Sequence, residues 1–166
     1  MLPDWEVELL VTPDEPVEDG ETFSDNARIK ARHGRAYAAP DAWVVGEDSG
    51  IEVDWLGGRP GVESARWASR GISRLLSELS GVENRGARYV CEIVVVTPGG
   101  DEITAGGTLE GEIARDARGG EGFGYDPIFV PHGESQTVAE LGNAWKAEHS
   151  HRAQAARALA EILIER

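Results

Sequence analysis

Four short stretches of this sequence combine residue types that can do chemistry together. Gly46-Glu47-Asp48-Ser49-Gly50 places two adjacent acids after the apolar run at residues 42–45. Carboxylates at a strand end suit Mg²⁺, a hard cation that takes oxygen ligands, often one or two carboxylates plus substrate phosphate. One acid could equally orient or deprotonate water. The competing reading is an Asp-Ser-Gly turn capped by its own side chains. Gly122-Phe123-Gly124-Tyr125-Asp126-Pro127 is the second stretch. Its glycines allow close backbone approach, Phe123 and Tyr125 offer flat faces for a base, and Asp126 can accept hydrogen bonds. Alternatively, the aromatics only pack on the core.

The third stretch is Lys146 with Ser150-His151-Arg152. Ser150 reads as a helix N-cap, which puts His151 and Arg152 in the first turn. Cations there oppose the helix dipole and need another partner. An anion shared with the helix N–H groups would be one, and plain solvation is the other option. The fourth is Lys30, one helical turn after Asn26. Lys30 and Lys146 are the only lysines among 16 basic residues. Upstream lie Glu15, Glu18, Asp19 and Glu21, ordinarily a solvated acidic run, of which one member could reach a metal.

The elements that must position these residues follow from periodicity. Residues 5–11 alternate through Val7, Leu9 and Val11 and predict a short strand. Residues 12–20 read as a loop. Phe23, Ala27 and Ala31 share one face of a helix that Thr22 or Ser24 can cap, running to about Ala39 before Pro40. Residues 42–45 predict a brief strand ending at the acidic turn, with extended chain resuming over 51–56. Ile72, Leu75, Leu76 and Leu79 mark an amphipathic helix. Residues 88–97 and 102–113, joined by Pro98-Gly99-Gly100-Asp101, predict an antiparallel meander. Residues 138–141 begin a polar connector. Ala156, Leu159, Ala160 and Leu163 give a terminal helix after Ser150. Helices mixed with long hairpins imply an α+β or mixed α/β class.

Composition narrows the partners. The chain has 166 residues, a size typical of one domain. Sixteen Lys and Arg against 30 Asp and Glu give a net charge of −14. That disfavours duplex DNA and anionic membranes, which need a basic face. A small anion remains possible, given a metal or a few placed cations. Cys91 is the only cysteine, sits in an apolar run, and reads as a buried small hydrophobe. No run of about 18 apolar residues marks a membrane span. The first residues lack the basic and apolar regions of a signal peptide. A cytoplasmic enzyme or binding domain is expected.

Taken in order, these stretches resemble the inosine triphosphate pyrophosphatase family. The resemblance rests on Gly20-Glu21-Thr22-Phe23, Asn26-Ala27 and Lys30-Ala31, then Glu47-Asp48-Ser49-Gly50. It continues through Leu56-Gly57-Gly58-Arg59-Pro60-Gly61-Val62, Ser64-Ala65-Arg66-Trp67 and Gly122 to Phe129. Ala139-Glu140-Leu141, Lys146 and Ser150-His151-Arg152 complete it. It implies a mixed α/β fold with a long central mixed sheet and two lobes flanking a nucleotide cleft. It also implies a homodimer and Mg²⁺-dependent hydrolysis of ITP, dITP and XTP to the monophosphate and pyrophosphate. By position, Asp48 resembles the general base and a metal-site acid, and Glu18 the second metal-site acid, with Glu15 a rival. Ser49 would contact substrate, and Lys30 resembles a phosphate-side lysine. Phe123, Gly124, Tyr125 and Asp126 would hold the base, with Phe123 stacking. Lys146, His151 and Arg152 resemble the group that reads the purine 6-keto edge. The family ordinarily opens with a strand, an Asn-x-x-Lys loop and a helix. No such segment precedes the Phe23 helix here, so a single domain over residues 1–166 is expected, shorter than its relatives at the N-terminus. Two alternatives share these residues: a nucleotide-binding relative without turnover, and a pyrophosphatase for modified pyrimidines.

Overall fold

A computed structural model describes residues 6–67 and 70–165. Its centre is a four-stranded sheet in the order β1-β2-β3-β4, formed by Val44–Val53, Gly86–Val96, Glu102–Ile113 and Phe129–Pro131. Each neighbouring pair is antiparallel. The mixed α/β character therefore comes from helices on both faces, and strand direction does not mix among the described residues. The long β2–β3 hairpin closes on Thr97 and Asp101, with Gly100 at positive φ. This is the conformation that glycine adopts without strain.

One helix seats on each face. Helix α1 (Phe23–Arg35) begins with a capping box in which Thr22 and Asp25 satisfy each other's backbone N–H groups. Its Ala27 and Ala31 pack on Val94 and Val96. The terminal helix, numbered α5 in chain order (His151–Ile164), packs Ala155 and Leu159 against Cys91, Ile93, Val95, Ile103 and Ala105 on the other face. Glycines make both seats possible. A Cβ on Gly46 would overlap the Ala27 carbonyl and lie 2.5 Å from the Ala31 nitrogen. A Cβ on Gly107 would overlap the backbone of His151 and Ala155. Helices α2 (Ser64–Trp67), α3 (Gly71–Glu78) and α4 (Val138–His149) close the remaining core. There Ile51, Leu75, Leu79, Ile128 and Phe129 are fully buried. Each such side chain contributes roughly 1.5–3 kcal/mol from burial.

The structure corrects several sequence expectations. Residues 6–11 form no strand, and Trp5 lies outside the described residues. Val7, Leu9 and Val11 are 71%, 91% and 83% exposed, so the alternation buries neither face. Helix α1 stops at Arg35, four residues early. The Arg35 guanidinium donates to the carbonyls of Ala38, Ala39 and Ala42 and turns the chain. Gly46-Glu47-Asp48-Ser49-Gly50 is no turn: β1 runs straight through it. The supposed connector after Val138 is helix α4, opened by a Thr137–Glu140 capping box and broken at Gly142, where φ is 87°. No described helix is long and apolar enough to cross a membrane.

Candidate functional site

Because β1 is extended, Glu47 and Asp48 project to opposite faces of the sheet. On the α1 face, Asp48 Oδ1 accepts from Lys30 Nζ at 2.8 Å, and Oδ2 accepts from Asn26 Nδ2 at 3.3 Å. Lys30 Nζ also lies 3.0 Å from Glu18 Oε2 and donates to the Glu47 carbonyl at 3.2 Å. Burial alone would lower the Lys30 pKa. Its hydrogen bonds and charge contacts with Asp48 and Glu18 outweigh that and raise it, so the ammonium stays charged. Glu18 is held by its backbone, whose carbonyl accepts from Arg66 at 2.9 Å. Its rival Glu15 is exposed.

Three hard oxygens thus converge on one cation: two carboxylates and a carbonyl. That donor chemistry fits Mg²⁺, with water and phosphate completing the shell. Among the described residues no group of three or more His, Cys, Asp or Glu could hold a metal; Glu18 and Asp48, which meet at Lys30, are the two carboxylates that could hold Mg²⁺ here.

On the α5 face, Glu47 Oε1 accepts from Arg152 Nε at 3.2 Å and from the Cys91 thiol at 3.3 Å. Burial pushes the Glu47 carboxyl upward, but the Arg152 charge and hydrogen bonds hold it below the usual range. Burial likewise raises the Cys91 thiol, which stays a neutral donor. Arg152 also donates to Ser49 Oγ at 2.9 Å. So Arg152 tolerates its place at a helix N-terminus because two β1 side chains receive it.

Beside this pair lies a cleft of about 110 Å³ lined by Ser49, Gly124, Tyr125, Lys146, His151 and Arg152, among others. Phe123 stands at its mouth, 62% exposed, with Lys146 Nζ 3.8 Å from the ring centroid. Arg152 also faces that ring, at 5.5 Å. Asp126 is buried beneath and fully engaged. It accepts from Lys146 at 2.5 Å, the Phe123 N–H at 2.8 Å and the Tyr89 hydroxyl at 3.2 Å. Burial raises the Tyr89 pKa well above its usual value, so this hydroxyl stays a donor. Tyr125 points inward and bonds the Ser64 carbonyl, so its ring is core rather than platform. A larger polar hollow of about 310 Å³ lies around Arg115 and Arg118, away from all of these groups. Arg115 pairs there with Glu83 and Arg118 with Glu140, so its cations are already spoken for.

His151 corrects the picture of a basic turn. It is buried, its ring stacks on Tyr89 at 4.7 Å, and its Nδ1 has no hydrogen-bond partner among the described residues. Burial and the nearby Arg152 push its pKa down to about 4, so the ring is neutral near pH 7. Of the three basic candidates, only Lys146 and Arg152 are cations.

The sequence over residues 2–162 matches the Ham1 family profile. The chain belongs to the Ham1 family. It is 47% identical to a dITP/XTP pyrophosphatase of Bdellovibrio bacteriovorus, over 88% of this chain and 77% of that one. With the dITP/XTP pyrophosphatase of an Exiguobacterium species it shares 46% identity, covering 96% and 85%. The solved Staphylococcus aureus Ham1 protein superposes with a TM-score of 0.86 at 36% identity, covering 92% and 82%. A nucleoside-triphosphatase and dITP/XTP pyrophosphatase from Mycobacterium abscessus gives 0.76 at 43%, covering 93% and 83%.

Within this Ham1 chain, sequence reasoning missed three supporting groups. Tyr89 carries Asp126 and His151, but an aromatic in a strand carries no mark of that. Ser64 Oγ accepts from the Ile51 N–H on the outer edge of β1, where a strand would otherwise pair. Arg66 holds the Glu18 carbonyl. Both sit in the Ser64-Ala65-Arg66-Trp67 stretch, which the family resemblance marked without a role.

Proposed function

We propose that this protein hydrolyses deaminated purine nucleoside triphosphates, ITP, dITP and XTP, to the monophosphate and pyrophosphate. The observation that carries this reading is the adjacency of Asp48 and Ser49. One belongs to the acid–lysine cluster and the other to the cleft beside Phe123, so one strand joins a phosphate end to a base end. Membership of the Ham1 family and its dITP/XTP pyrophosphatase relatives support the same assignment.

Each end has a chemical role in this reading. Phe123 stacks on the base. Lys146 and Arg152, both cations, and His151 supply donors toward a 6-keto oxygen, which is an acceptor. Adenine would turn an amino donor toward the same groups. A buried polar mismatch of this kind discriminates by orders of magnitude. Asp126 orients Lys146 and the Phe123 backbone. At the other end, Asp48 takes the proton of the attacking water as general base. Lys30 exchanges carboxylate for phosphate oxygens as the nucleotide arrives. Glu18 and Asp48 would hold Mg²⁺, which offsets phosphate charge and acidifies water when bound. A cytoplasmic homodimer completes the proposal.

The test is pyrophosphate release with Mg²⁺ from dITP and XTP beside dATP, dGTP, dUTP and dTTP. Selective release from the first two is expected. Binding of dITP without turnover, or equal rates on dUTP and dTTP, overturns the reading. Sedimentation velocity checks the dimer.

A further inference from the structure

We infer that Asn26 is a positioning residue for this reaction, one amide that fixes the Asp48 carboxylate and the Glu18 segment relative to each other. The inference rests on the functional reading above, in which Asp48 and Glu18 are the working acids. Asn26 is 1% exposed. A buried amide left unpaired costs about 1–3 kcal/mol, so its bonds define its place. Its Oδ1 accepts from the Gly20 N–H at 2.9 Å, and its Nδ2 donates to Asp48 Oδ2 at 3.3 Å. The amide cannot be reversed: a backbone N–H needs the oxygen and a carboxylate needs the NH₂.

The surroundings hold that amide still. Asn26 lies in the first turn of α1, where its own N–H bonds the Thr22 carbonyl and the capping box locks the adjacent Asp25. Gly20 comes in close because it lacks a side chain: a Cβ there would sit 2.6 Å from Asn26 Oδ1. Glu18 is two residues upstream and meets the same Lys30 ammonium that Asp48 meets. Asn26 therefore closes a ring of contacts running Glu18, Lys30, Asp48, Asn26 and Gly20. It distinguishes the two oxygens of Asp48: Oδ1 faces the ammonium and Oδ2 the amide. Asn26 itself touches neither phosphate nor water in this scheme, so it acts through Asp48.

The decisive variant is Asn26→Asp. It keeps an oxygen for Gly20 and places a second oxygen where Asp48 needs a donor. The segment anchor survives while the grip on Asp48 is lost. With dITP at saturating Mg²⁺, kcat is expected to fall about 100-fold, as for a catalytic group displaced by about 1 Å. The KM for dITP should stay within about threefold, because no base or phosphate contact changes. Metal binding without nucleotide, read by calorimetry with Mn²⁺, should be undiminished, since a carboxylate has been added. Turnover at the wild-type level, or a KM that rises in step with the loss, overturns the inference. Asn26→Ser replaces the amide by a side chain too short to bridge Gly20 and Asp48, at a small cost in helix propensity. Its kcat should stay low at any Mg²⁺ concentration. Recovery with excess Mg²⁺ overturns the inference, because Asn26 would then only restrain the Glu18 segment. Both variants are read against the wild-type protein. An inactive wild type defeats the functional reading, whereas an active wild type with equally active variants defeats only the role of Asn26.

Discussion

Glu47 and Asp48 are neighbours in the chain, yet their carboxylates end on different helices on opposite sides of the sheet: Glu47 on Arg152 of α5, Asp48 on Lys30 of α1. The two acids cannot share a metal or a water. The division predicts different kinetic signatures. Asp48→Asn should lower kcat by about 10²–10⁴-fold, the usual worth of a general base, while the protein stays folded. Glu47→Gln should act mainly on KM, through Arg152 and Ser49. Steady-state kinetics of both variants on dITP check this, and a near-normal kcat in Asp48→Asn removes it as the base.

Phe123 is the most exposed aromatic at the cleft, and two cations already face its ring. A ring held this openly adds little to the core, and in the proposed function it stacks on the base. Phe123→Ala should weaken nucleotide binding by about 1–3 kcal/mol, the range for one stacked base. The melting temperature should hardly move. Calorimetric binding of IMP or ITP and a thermal melt test both halves of the statement.

His151 makes stability depend on pH in a definite window. Its folded pKa is lowered from 6.5 to about 4, so the folded protein resists a proton that the unfolded chain accepts. The contribution is fully present above pH 6.5. It declines as pH falls from about 6.5 to about 4, then levels off. The full loss is on the order of 3 kcal/mol. Urea unfolding of wild type and His151→Phe across pH 4–7.5 isolates it: wild type should lose stability relative to the variant as the pH falls.

Gly46 and Gly107 carry one helix each. Gly46→Ala pushes α1 off β1, and Gly107→Ala pushes α5 off β3, because the clashing atoms are backbone and have no rotamer to yield. Each should destabilise by about 1–3 kcal/mol or more, the range of overpacking with no rotamer to relieve it. The functional losses should differ at denaturant-free conditions. Gly46→Ala displaces Asn26 and Lys30 and should lower kcat, whereas Gly107→Ala displaces His151 and Arg152 and should raise KM.

These two glycines also show where sequence reading reaches its limit. The β2–β3 hairpin, α3, α1's buried face and the Ser150 cap were legible because periodicity and capping are local. Gly46-Glu47-Asp48-Ser49-Gly50 has the composition of a turn, but neither glycine takes positive φ. Gly46 is there for α1 to approach, and a Cβ on Gly50 would overlap Ser64 Oγ. A requirement set by a distant helix or loop leaves no local trace. Residues 6–11 fail in the opposite sense: the alternation is correct for a strand, but pairing needs a neighbour. Helix α4 was hidden by Gly142, which interrupts the 3.6-residue repeat. At the site, the order of motifs located nearly all the residues that the cleft brings together. It could not show that His151 is neutral, because burial is a property of the assembled fold.

Lys30 gives the resting molecule its own counter-ion. In a protein of net charge −14, two facing carboxylates would otherwise draw a cation from the surrounding salt. Here a side chain supplies it at 2.8 and 3.0 Å. The Glu18–Lys30–Asp48 cluster is an internal salt, less screened by added salt than a fully exposed pair. In the proposed reaction, an arriving metal–nucleotide complex would bring a replacement cation for the acids and a new anion for the lysine in one event. Binding would then be an exchange of partners among Glu18, Asp48, Lys30, the metal and the triphosphate, in which a bare metal leaves the lysine without an anion.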